Sequence, residues 1–321
     1  MPIPAPTALP GVLPGNLLIA DRANSRVIEV TPDRRIVWEF PRPGDLLPGQ
    51  HFRWPDDAFY APDGKSIVIN EEEAHAIVLV DYATRRIAWQ YGVPERRGSA
   101  KGYLNGPDDA YMWPDRSIGV ADIRNCRLLR IDQASKAIAA QLGRTGFCLH
   151  HPPKTFGLPN GDTPLPNGHV LVTEILGNWV SEVGWDGTLY WTTRAPGIRY
   201  PSDAQMLPNG NILLVDYARP GQILIMTPQG KVVWRYAVRS GAAMLDHPSL
   251  AIELSNGFIA LNDDFRDRVI VIDPKTDKIV WQYGVNDRRG RSNGLLFVPD
   301  GIDIKPQNWG DVSPTPTPSM R

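Results

Sequence analysis

One phrase recurs through the 321 residues of this sequence, and its spacing limits the folds that the chain can adopt. Each copy begins at a proline and reaches, 15 or 16 residues later, a carboxylate that ends an apolar segment. The prolines are Pro55, Pro107, Pro159, Pro201, Pro248 and Pro299. The carboxylates that follow the first five are Glu71, Asp122, Glu174, Asp216 and Asp263. Such regular spacing indicates a tandem array of one structural unit.

Turn residues divide each unit into short strands. Between the proline and the carboxylate stands a turn such as Pro62-Asp63-Gly64, in which Pro presets φ and Gly tolerates a positive φ. Two further strands follow, and the last often ends near a Trp, as in residues 87–92 and 279–284. Four short strands in about 40–50 residues are typical of a β-propeller blade. The 31 Pro and 29 Gly also exclude a mostly helical protein.

The ends of the chain predict how the ring closes. The first blade lacks a Pro-led strand, whereas a surplus Pro-led strand, residues 299–304, follows the sixth blade. We therefore predict an all-β fold, a single six-bladed β-propeller with four antiparallel strands (A to D) per blade, in which the C-terminal strand completes blade 1. The propeller is expected to span residues 15–305, between a Pro-rich extension (1–14) and a Pro/Thr-rich tail (306–321). Recurrent Trp residues are expected to pack between blades.

Two local motifs resemble those of known propeller families. Asp21-x-x-Asn24-x-Arg26, with a second copy over residues 122–127, resembles the Asp-x-x-Asn-x-Arg motif of NHL-repeat propellers. The Trp-Gln-Tyr-Gly strand ends at 89–92 and 281–284 resemble those of bacterial propellers with pyrroloquinoline-quinone-like repeats. The resemblance covers about residues 15–305 and implies the fold but no single activity, because such propellers include interaction scaffolds, a peptide-amidating lyase and distant calcium-dependent lactonases.

The predicted topology brings the starts of strands A and the ends of strands B to one face, where two acidic rings are expected. The strand-B ring has a structural interpretation, because each carboxylate can accept backbone N–H bonds and pair with a following Arg, as Asp21 can with Arg26. The strand-A ring is less regular and is the better candidate for a cation, most suitably Ca²⁺. Its candidate ligands are Asp57, Asp109, Asp162 and Asp203.

Histidines give a weaker indication of a metal site. The resemblance to the amidating lyase implies a zinc-binding His directly after the strand-A Pro of alternate blades, but those positions here are Asp56, Asn160 and Ser249, so that zinc triad is absent. His51, His151 and His247 lie in the loops that enter blades 2, 4 and 6, at unequal distances from their prolines. They are either a loose metal triad or ordinary loop histidines, and His151 and His247 are the candidate acid or base of an enzyme.

Two matched loops carry paired arginines, Arg96-Arg97 in blade 2 and Arg288-Arg289 in blade 6. They predict either a clamp for an anionic ligand or solvated loops in which the arginines pair with the neighbouring Glu95 and Asp287.

The two cysteines, Cys126 and Cys148, match no zinc or redox motif. The predicted fold places both on the loop-bearing face, so a disulfide and two free thiols both stay open. A disulfide would favour an exported protein. Residues 1–14 do not read as a signal peptide, and no apolar run is long enough for a transmembrane helix. The compartment stays open, with export or the cell envelope favoured if a leader is missing and the cysteines pair.

The remaining composition narrows the function classes. A net charge of −1 argues against nonspecific nucleic-acid binding. No nucleophile elbow, phosphate loop, dinucleotide fingerprint or zinc-protease motif occurs, and scattered Trp residues do not support a bound quinone. We predict a scaffold whose loop-rich face binds a small molecule, a peptide or a protein. The alternative is a divalent-metal-dependent hydrolase or lyase, lactonase-like, with its site in the central channel.

Overall fold

The computed structural model describes residues 11–310 and confirms the six-bladed propeller. Twenty-four strands form six four-stranded antiparallel sheets, and the only helical elements of the described chain are three single 3₁₀ turns, Arg22–Asn24, Ile123–Asn125 and Asp264–Arg266.

Within each blade the four strands follow one another from the central channel outward. Blade 1 contains β24 (Pro299–Ile304), β1 (Leu17–Asp21), β2 (Arg26–Val30) and β3 (Ile36–Phe40). Blade 2 contains β4 (Ala58–Tyr60), β5 (Ser66–Glu71), β6 (Ala76–Asp81) and β7 (Arg86–Gly92). Blade 3 contains β8 (Pro107–Met112), β9 (Ile118–Asp122), β10 (Arg127–Ile131) and β11 (Ile138–Leu142).

Blade 4 contains β12 (Pro159–Pro164), β13 (Val170–Glu174), β14 (Trp179–Val183) and β15 (Leu189–Arg194). Blade 5 contains β16 (Pro201–Met206), β17 (Ile212–Asp216), β18 (Gln222–Met226) and β19 (Val232–Tyr236). Blade 6 contains β20 (Ala251–Glu253), β21 (Ile259–Asp263), β22 (Arg268–Asp273) and β23 (Lys278–Gly284).

The ring closes as predicted, because the C-terminal strand β24 pairs antiparallel with β1. Leu17 lies opposite Ile304, and the amide of Lys305 extends the pairing by donating to the carbonyl of Asn16 at 2.9 Å. Closure joins the two ends of the ring, so it leaves no open inner edge between the first and last blades.

Apolar residues of strands B and C fill the spaces between blades, and Trp side chains tie neighbouring blades together. Strand β1 is buried along its whole length, whereas the outer strand β3 alternates between buried and solvent-facing residues. Indole Nε1 atoms donate to carbonyl oxygens of the next blade at 2.8–2.9 Å: Trp38 to Tyr82, Trp89 to Gln133 and Trp281 to Pro32. The interfaces between neighbouring blades are therefore stabilised by both apolar packing and hydrogen bonds.

The innermost strands are irregular at the level of the acidic ring. The β8–β9 register shifts between Asp108 and Tyr111, and comparable shifts occur in β12, β16 and β24. Asp109, inside the β8 shift, has a left-handed φ of 46°. Bulges redirect side chains, so these irregularities turn strand-A polar residues toward the channel.

The flanking segments are only partly within the described residues. Of the Pro-rich extension, Val12 and Leu13 are buried in the same apolar cluster as Leu17. Of the tail, Trp309 packs edge-on against Tyr60 and Tyr82. Residues 1–10 and 311–321, which include the Pro-Thr repeat of the tail, lie outside the described residues. Within residues 11–310, no helix is long and apolar enough to cross a membrane.

Candidate functional site

We call the face formed by the B–C and D–A loops the loop-rich face. The strand-B carboxylates lie beneath it as structural anchors, because each accepts a backbone N–H from the loop that enters its own blade. The six hydrogen bonds, each written from backbone donor to carboxylate acceptor, are Phe297 to Asp21, Arg53 to Glu71, Asn105 to Asp122, Gly157 to Glu174, Tyr200 to Asp216 and Asp246 to Asp263. This ring therefore positions the loops, in agreement with its structural interpretation.

Three of these anchors have the expected arginine partner. The Nε atoms of Arg26, Arg127 and Arg268 lie 2.7–2.8 Å from Asp21, Asp122 and Asp263, respectively. All six side chains are buried. Each arginine neutralises a carboxylate whose burial without a partner would destabilise the fold.

In the other three blades, the strand-B carboxylate has no arginine at the corresponding position. Asp216 instead accepts from Gln222 at 2.8 Å, and Glu71 has no charged partner within 4.0 Å among the described residues. Asp216 also lies 3.8 Å from the exposed Arg199. In blade 4, the ring of His150 occupies the partner position, 2.8 Å from Glu174, and stacks on Trp179 at 3.9 Å. Burial raises the pKa of Glu174 to about 7.

A small polar cavity of about 100 Å³ opens at the centre of the loop-rich face, at the mouth of the channel. We call it the acidic funnel. Its carboxylates are Asp56, Asp57, Glu72, Asp108, Asp109, Asp203 and Asp300. The rest of its lining comprises Arg22, Asn160, Tyr200, Ser202, Tyr217, Ser249 and Leu250.

Arg22 neutralises the outer part of the funnel. Its guanidinium lies 2.8 Å from Asp56 and 3.2 Å from Glu72, and it also contacts Asp300 and Glu73. Burial would lower the pKa of Arg22, but Asp56 and the other three carboxylates raise it, so the guanidinium stays charged. The chain thus supplies its own cation to four acidic groups at the mouth.

The inner part of the funnel has no such cation. Among the described residues, no Lys or Arg forms an ion pair with Asp57, Asp109 or Asp203. Asp109 is 2% exposed, and no hydrogen-bond donor of the described chain reaches its Oδ2. A Cβ placed on Gly161 would lie 3.0 Å from both Asp109 Oδ2 and Asp203 Oδ1. The glycine thus leaves a gap between two buried carboxylates.

Burial and mutual repulsion shift the titration of these groups upward. Burial, then the charge of Asp300, raises the pKa of Asp57 to about 7. Burial raises the pKa of Asp203 to about 6. The pKa of Asp109 is also raised, first by burial and then by Asp203 and Asp57. At neutral pH the inner group therefore needs shared protons or a bound cation.

An aromatic cluster borders the funnel on the side of blades 5 and 6. Tyr200 and Tyr217 line the cavity with their ring centroids 5.3 Å apart. His247 packs against Tyr217 at 4.9 Å and against the half-exposed Phe265 at 4.7 Å. Its Nδ1 lies 2.7 Å from a carboxylate oxygen of Asp246.

The structure brings together three of the four predicted cation ligands. Asp57, Asp109 and Asp203 line the funnel. Asp162 is fully buried away from its lining, next to Gly119, although its charge still contributes to the raised pKa of Asp109, after burial and the charge of Asp203. Asp57 also belongs to an acidic triplet with Asp56 and Asp108, in which one carboxylate oxygen of each residue lies within 4.8 Å of the other two.

The candidate histidines do not lie together as a metal site would require. His151 is exposed, and its backbone is bonded to Thr155 within its own loop. His51 is also exposed, and only His247 approaches the funnel, through Tyr217. No group of three potential metal ligands in residues 11–310 contains a histidine.

The paired arginines are solvent-exposed at the edge of the loop-rich face. The loops are solvated, as one of the two alternatives predicts, but the arginines do not pair with the neighbouring acids. Glu95 lies 3.1 Å from Arg53, and Asp287 lies 2.8 Å from Arg266. Arg96 and Arg289 approach aromatic rings instead, Tyr103 at 5.9 Å and Phe297 at 5.2 Å, while Arg97 and Arg288 show no ion pair within the described chain.

The cysteines form a disulfide, Cys126–Cys148, with Cα atoms 5.2 Å apart. It joins the B–C loop of blade 3 to the loop that leads into blade 4. Of the two alternatives that the sequence left open, the structure contains the bonded form.

Sequence reasoning missed Arg22, Glu72 and Tyr217. Each directly follows a strand-B carboxylate, at a repeat position that faces the channel. The sequence did contain a signal for these residues, because the position after the strand-B carboxylate differs from blade to blade. A position with a purely structural role in the repeat is expected to hold similar residues in every blade. A second cavity, of about 890 Å³, lies on the opposite face near Trp113 and Trp309 and was also not predicted.

Comparison with known proteins agrees with this architecture. A model of PQQ-like repeats, described as outer membrane protein assembly factor BamB, matches residues 130–299, just over half of the chain. The chain belongs to this family. No curated protein matches the sequence.

Solved structures resemble this PQQ-like propeller at low sequence identity. A protein of unknown function from Bacteroides caccae is 18% identical over 90% of this chain and 98% of its own, with a TM-score of 0.63. A chain from a nidogen/laminin complex is 15% identical over 89% and 97%, with a TM-score of 0.59. A virginiamycin B lyase from Staphylococcus aureus is 16% identical over 70% and 68%, with a TM-score of 0.50. Such identities establish the fold alone.

Proposed function

We propose that this PQQ-like propeller is a binding scaffold whose acidic funnel receives a positively charged group of a ligand. The observation that carries the proposal is Asp109, a buried carboxylate with one oxygen that no donor of the described chain reaches. Asp109 and Asp203 share a proton when no cation is bound, and their position at an open cavity favours an external cation that replaces this proton.

Arg22 supports a cationic ligand from within the chain. Its guanidinium already pairs with Asp56 and three further acids at the mouth, and this pairing supports the proposal that the surface accepts a planar cation. The inner carboxylates lie next to it without a cation. Tyr200 and Tyr217 line the same cavity, and aromatic rings attract organic cations.

The family and the disulfide support a scaffold outside the cytoplasm. The family description names an assembly factor of the outer membrane, which favours a protein that acts by binding other proteins. Disulfides persist mainly in oxidising compartments, so the Cys126–Cys148 bond favours export or the cell envelope.

A calcium-dependent hydrolase or lyase is the second candidate, and the triplet of Asp56, Asp57 and Asp108 favours it. Ca²⁺ prefers six to eight oxygen ligands, and this triplet offers carboxylate oxygens of the right type. The ion would act as a Lewis acid on a substrate carbonyl. His247 is the candidate acid or base of this reaction, because Asp246 orients its ring beside the aromatic border of the funnel.

Thermal unfolding with added cations separates these possibilities. Wild-type protein is melted at pH 7.5 alone, with CaCl₂ and with N-acetyl-lysine methylamide, and the same series is run on Asp109→Asn. Asp186→Asn, in an exposed turn of the opposite face, is the matched control. Because a ligand of the native state raises the melting temperature, we expect the lysine amide to stabilise the wild type and the control but not Asp109→Asn.

Two sets of results would count against the proposed scaffold. Stabilisation by CaCl₂ alone would replace the scaffold by the calcium enzyme and would justify a screen of lactone and ester substrates. Stabilisation by neither cation, or equal stabilisation of Asp109→Asn, would contradict the proposed function.

A further inference from the structure

The loop-rich face has a positively charged periphery around its acidic centre. On the B–C and D–A loops, three exposed carboxylates belong to Glu73, Glu95 and Asp287, and each pairs with an arginine of the same face. Fourteen exposed basic residues lie on these loops: Arg42, Arg53, Arg96, Arg97, Lys101, Arg124, Arg144, Lys154, Arg199, Arg219, Arg239, Arg288, Arg289 and Arg291. The net charge of −1 for the whole chain conceals this distribution.

Exposed apolar side chains concentrate on the same loops. Ten large apolar side chains of the described chain are exposed, and six of them lie on the loop-rich face. They are Leu47, Trp54, Phe147, Leu149, Leu176 and Phe265. The other four lie on outer strands. Aromatic and apolar residues at a charged rim are typical of a protein interface.

Two of these side chains, including the most exposed one, stand on a loop that a disulfide holds in place. Leu149 is 70% exposed and directly follows Cys148, whose disulfide holds the loop against blade 3. Phe147 packs under the guanidinium of Arg144, 3.7 Å from its ring centroid. Next along the loop, His150 stacks on Trp179. A loop that is already ordered loses little conformational entropy when a partner binds.

We propose that the loop-rich face docks a protein segment that carries a lysine or arginine at its centre, apolar residues beside it and acidic residues at its outer ends. This inference rests on the proposed function, because the central basic side chain is the cation that enters the funnel. The acidic flanks meet the basic periphery, which includes Arg96, Arg97, Arg288 and Arg289, and the apolar residues meet the exposed loop side chains. Opposite charges matched in this order give orientation and specificity.

A membrane surface fits the face less well. Anionic headgroups match the basic periphery and the apolar side chains, but they leave the buried carboxylates at the centre without a partner. A protein segment satisfies both zones at once. The opposite face lacks this pattern, since its turns carry charges of both signs, such as Asp33 beside Arg35.

A random twelve-residue peptide library displayed on phage tests the proposal with the full-length protein. We expect enriched peptides to share a basic residue flanked by acidic and apolar residues. A synthetic copy of that consensus, labelled for fluorescence polarisation, is then titrated against the wild type and variants. We expect about tenfold weaker binding to Asp109→Asn and to Arg96→Glu/Arg97→Glu.

Control variants distinguish a specific effect on peptide binding from a general effect of charge or folding. Lys65→Glu/Lys136→Glu reverses two exposed charges on the opposite face and is expected to bind like the wild type. Circular dichroism confirms that each variant is folded. Absence of a shared consensus, or a consensus that binds the arginine variant unchanged, would overturn the proposal. Binding to phosphatidylcholine–phosphatidylglycerol vesicles without peptide binding would assign the face to a membrane instead.

The proposed function and this inference can fail separately. If the lysine amide stabilises the protein but no peptide consensus emerges, the funnel binds a small cation and the docking proposal falls. If a peptide binds but Asp109→Asn has no effect, the segment does not enter the funnel and the docking proposal falls, whereas the proposed function is still decided by the lysine amide melts.

Discussion

Replacing Asp203 by Asn is predicted to stabilise the protein at neutral and alkaline pH, although the residue is buried. The folded state raises the pKa of this carboxyl from 3.8 to about 6 because burial opposes its charge. A group whose pKa is higher in the folded state binds more protons there, so its charge lowers the free energy of unfolding as pH rises from about 4 to about 6. Above that window, the cost amounts to about 3 kcal/mol.

The amide of Asp203→Asn removes this cost and keeps the shape of the side chain. The oxygen that accepts from Thr163 is retained, and the neutral amide removes the charge of Asp203 that raises the pKa of Asp109. We expect a gain of up to about 3 kcal/mol at pH 8, which corresponds to roughly 6 °C in melting temperature for a chain of this length, and no gain at pH 4.

Urea unfolding of the wild type and the variant at pH 4, 6 and 8 measures the effect. Asp186→Asn is the control, because hydrogen bonds from Thr188 lower the pKa of that exposed carboxyl and its loss is expected to be neutral or slightly destabilising at pH 8. A variant that is less stable than the wild type at pH 8, or a gain that does not depend on pH, would refute this reasoning.

Three further substitutions test the supporting contacts. Arg22→Met leaves its buried carboxylate partners without a cation, so we expect a loss of about 3 kcal/mol at pH 8 and less at pH 5, measured by urea unfolding. Arg127→Met leaves the buried Asp122 without its arginine partner and is expected to lower the free energy of unfolding by about 3–5 kcal/mol in the same assay. Removal of the disulfide by Cys126→Ala/Cys148→Ala releases a loop with a sequence separation of 22 residues and should cost about 3 kcal/mol by calorimetry. Changes below about 1 kcal/mol would contradict each expectation.

The sequence predicts the fold well because each blade repeats the same physical requirements. Pro and Gly at turns, apolar strands and a carboxylate at a constant distance from Pro appear in copy after copy, and the surplus strand that begins at Pro299 predicts the closure. The pairing of Asp122 with Arg127 is equally predictable, because both residues belong to the repeat.

The funnel is harder to predict because it is made of departures from the repeat. Arg22 contacts Asp300 on the C-terminal strand of its own blade and Asp56 in the loop that enters blade 2, and no spacing within one repeat of the sequence encodes these contacts. The bulge in β8 sends Asp108 and Asp109 into the channel, whereas Asp162, at a similar place in its strand, is buried away from the cavity. Such differences depend on local backbone geometry, which repeat spacing does not specify.

Proton release on binding tests the central claim, that the inner carboxylates of the funnel receive a cation. Titration calorimetry of N-acetyl-lysine methylamide at pH 6, in two buffers of different ionisation enthalpy, counts the protons displaced. Because the pKa of Asp57 is raised to about 7 and that of Asp203 to about 6, a bound cation is predicted to release up to about one proton from these two carboxyls at pH 6. Absence of binding, or binding at pH 6 that releases no proton, would contradict the account.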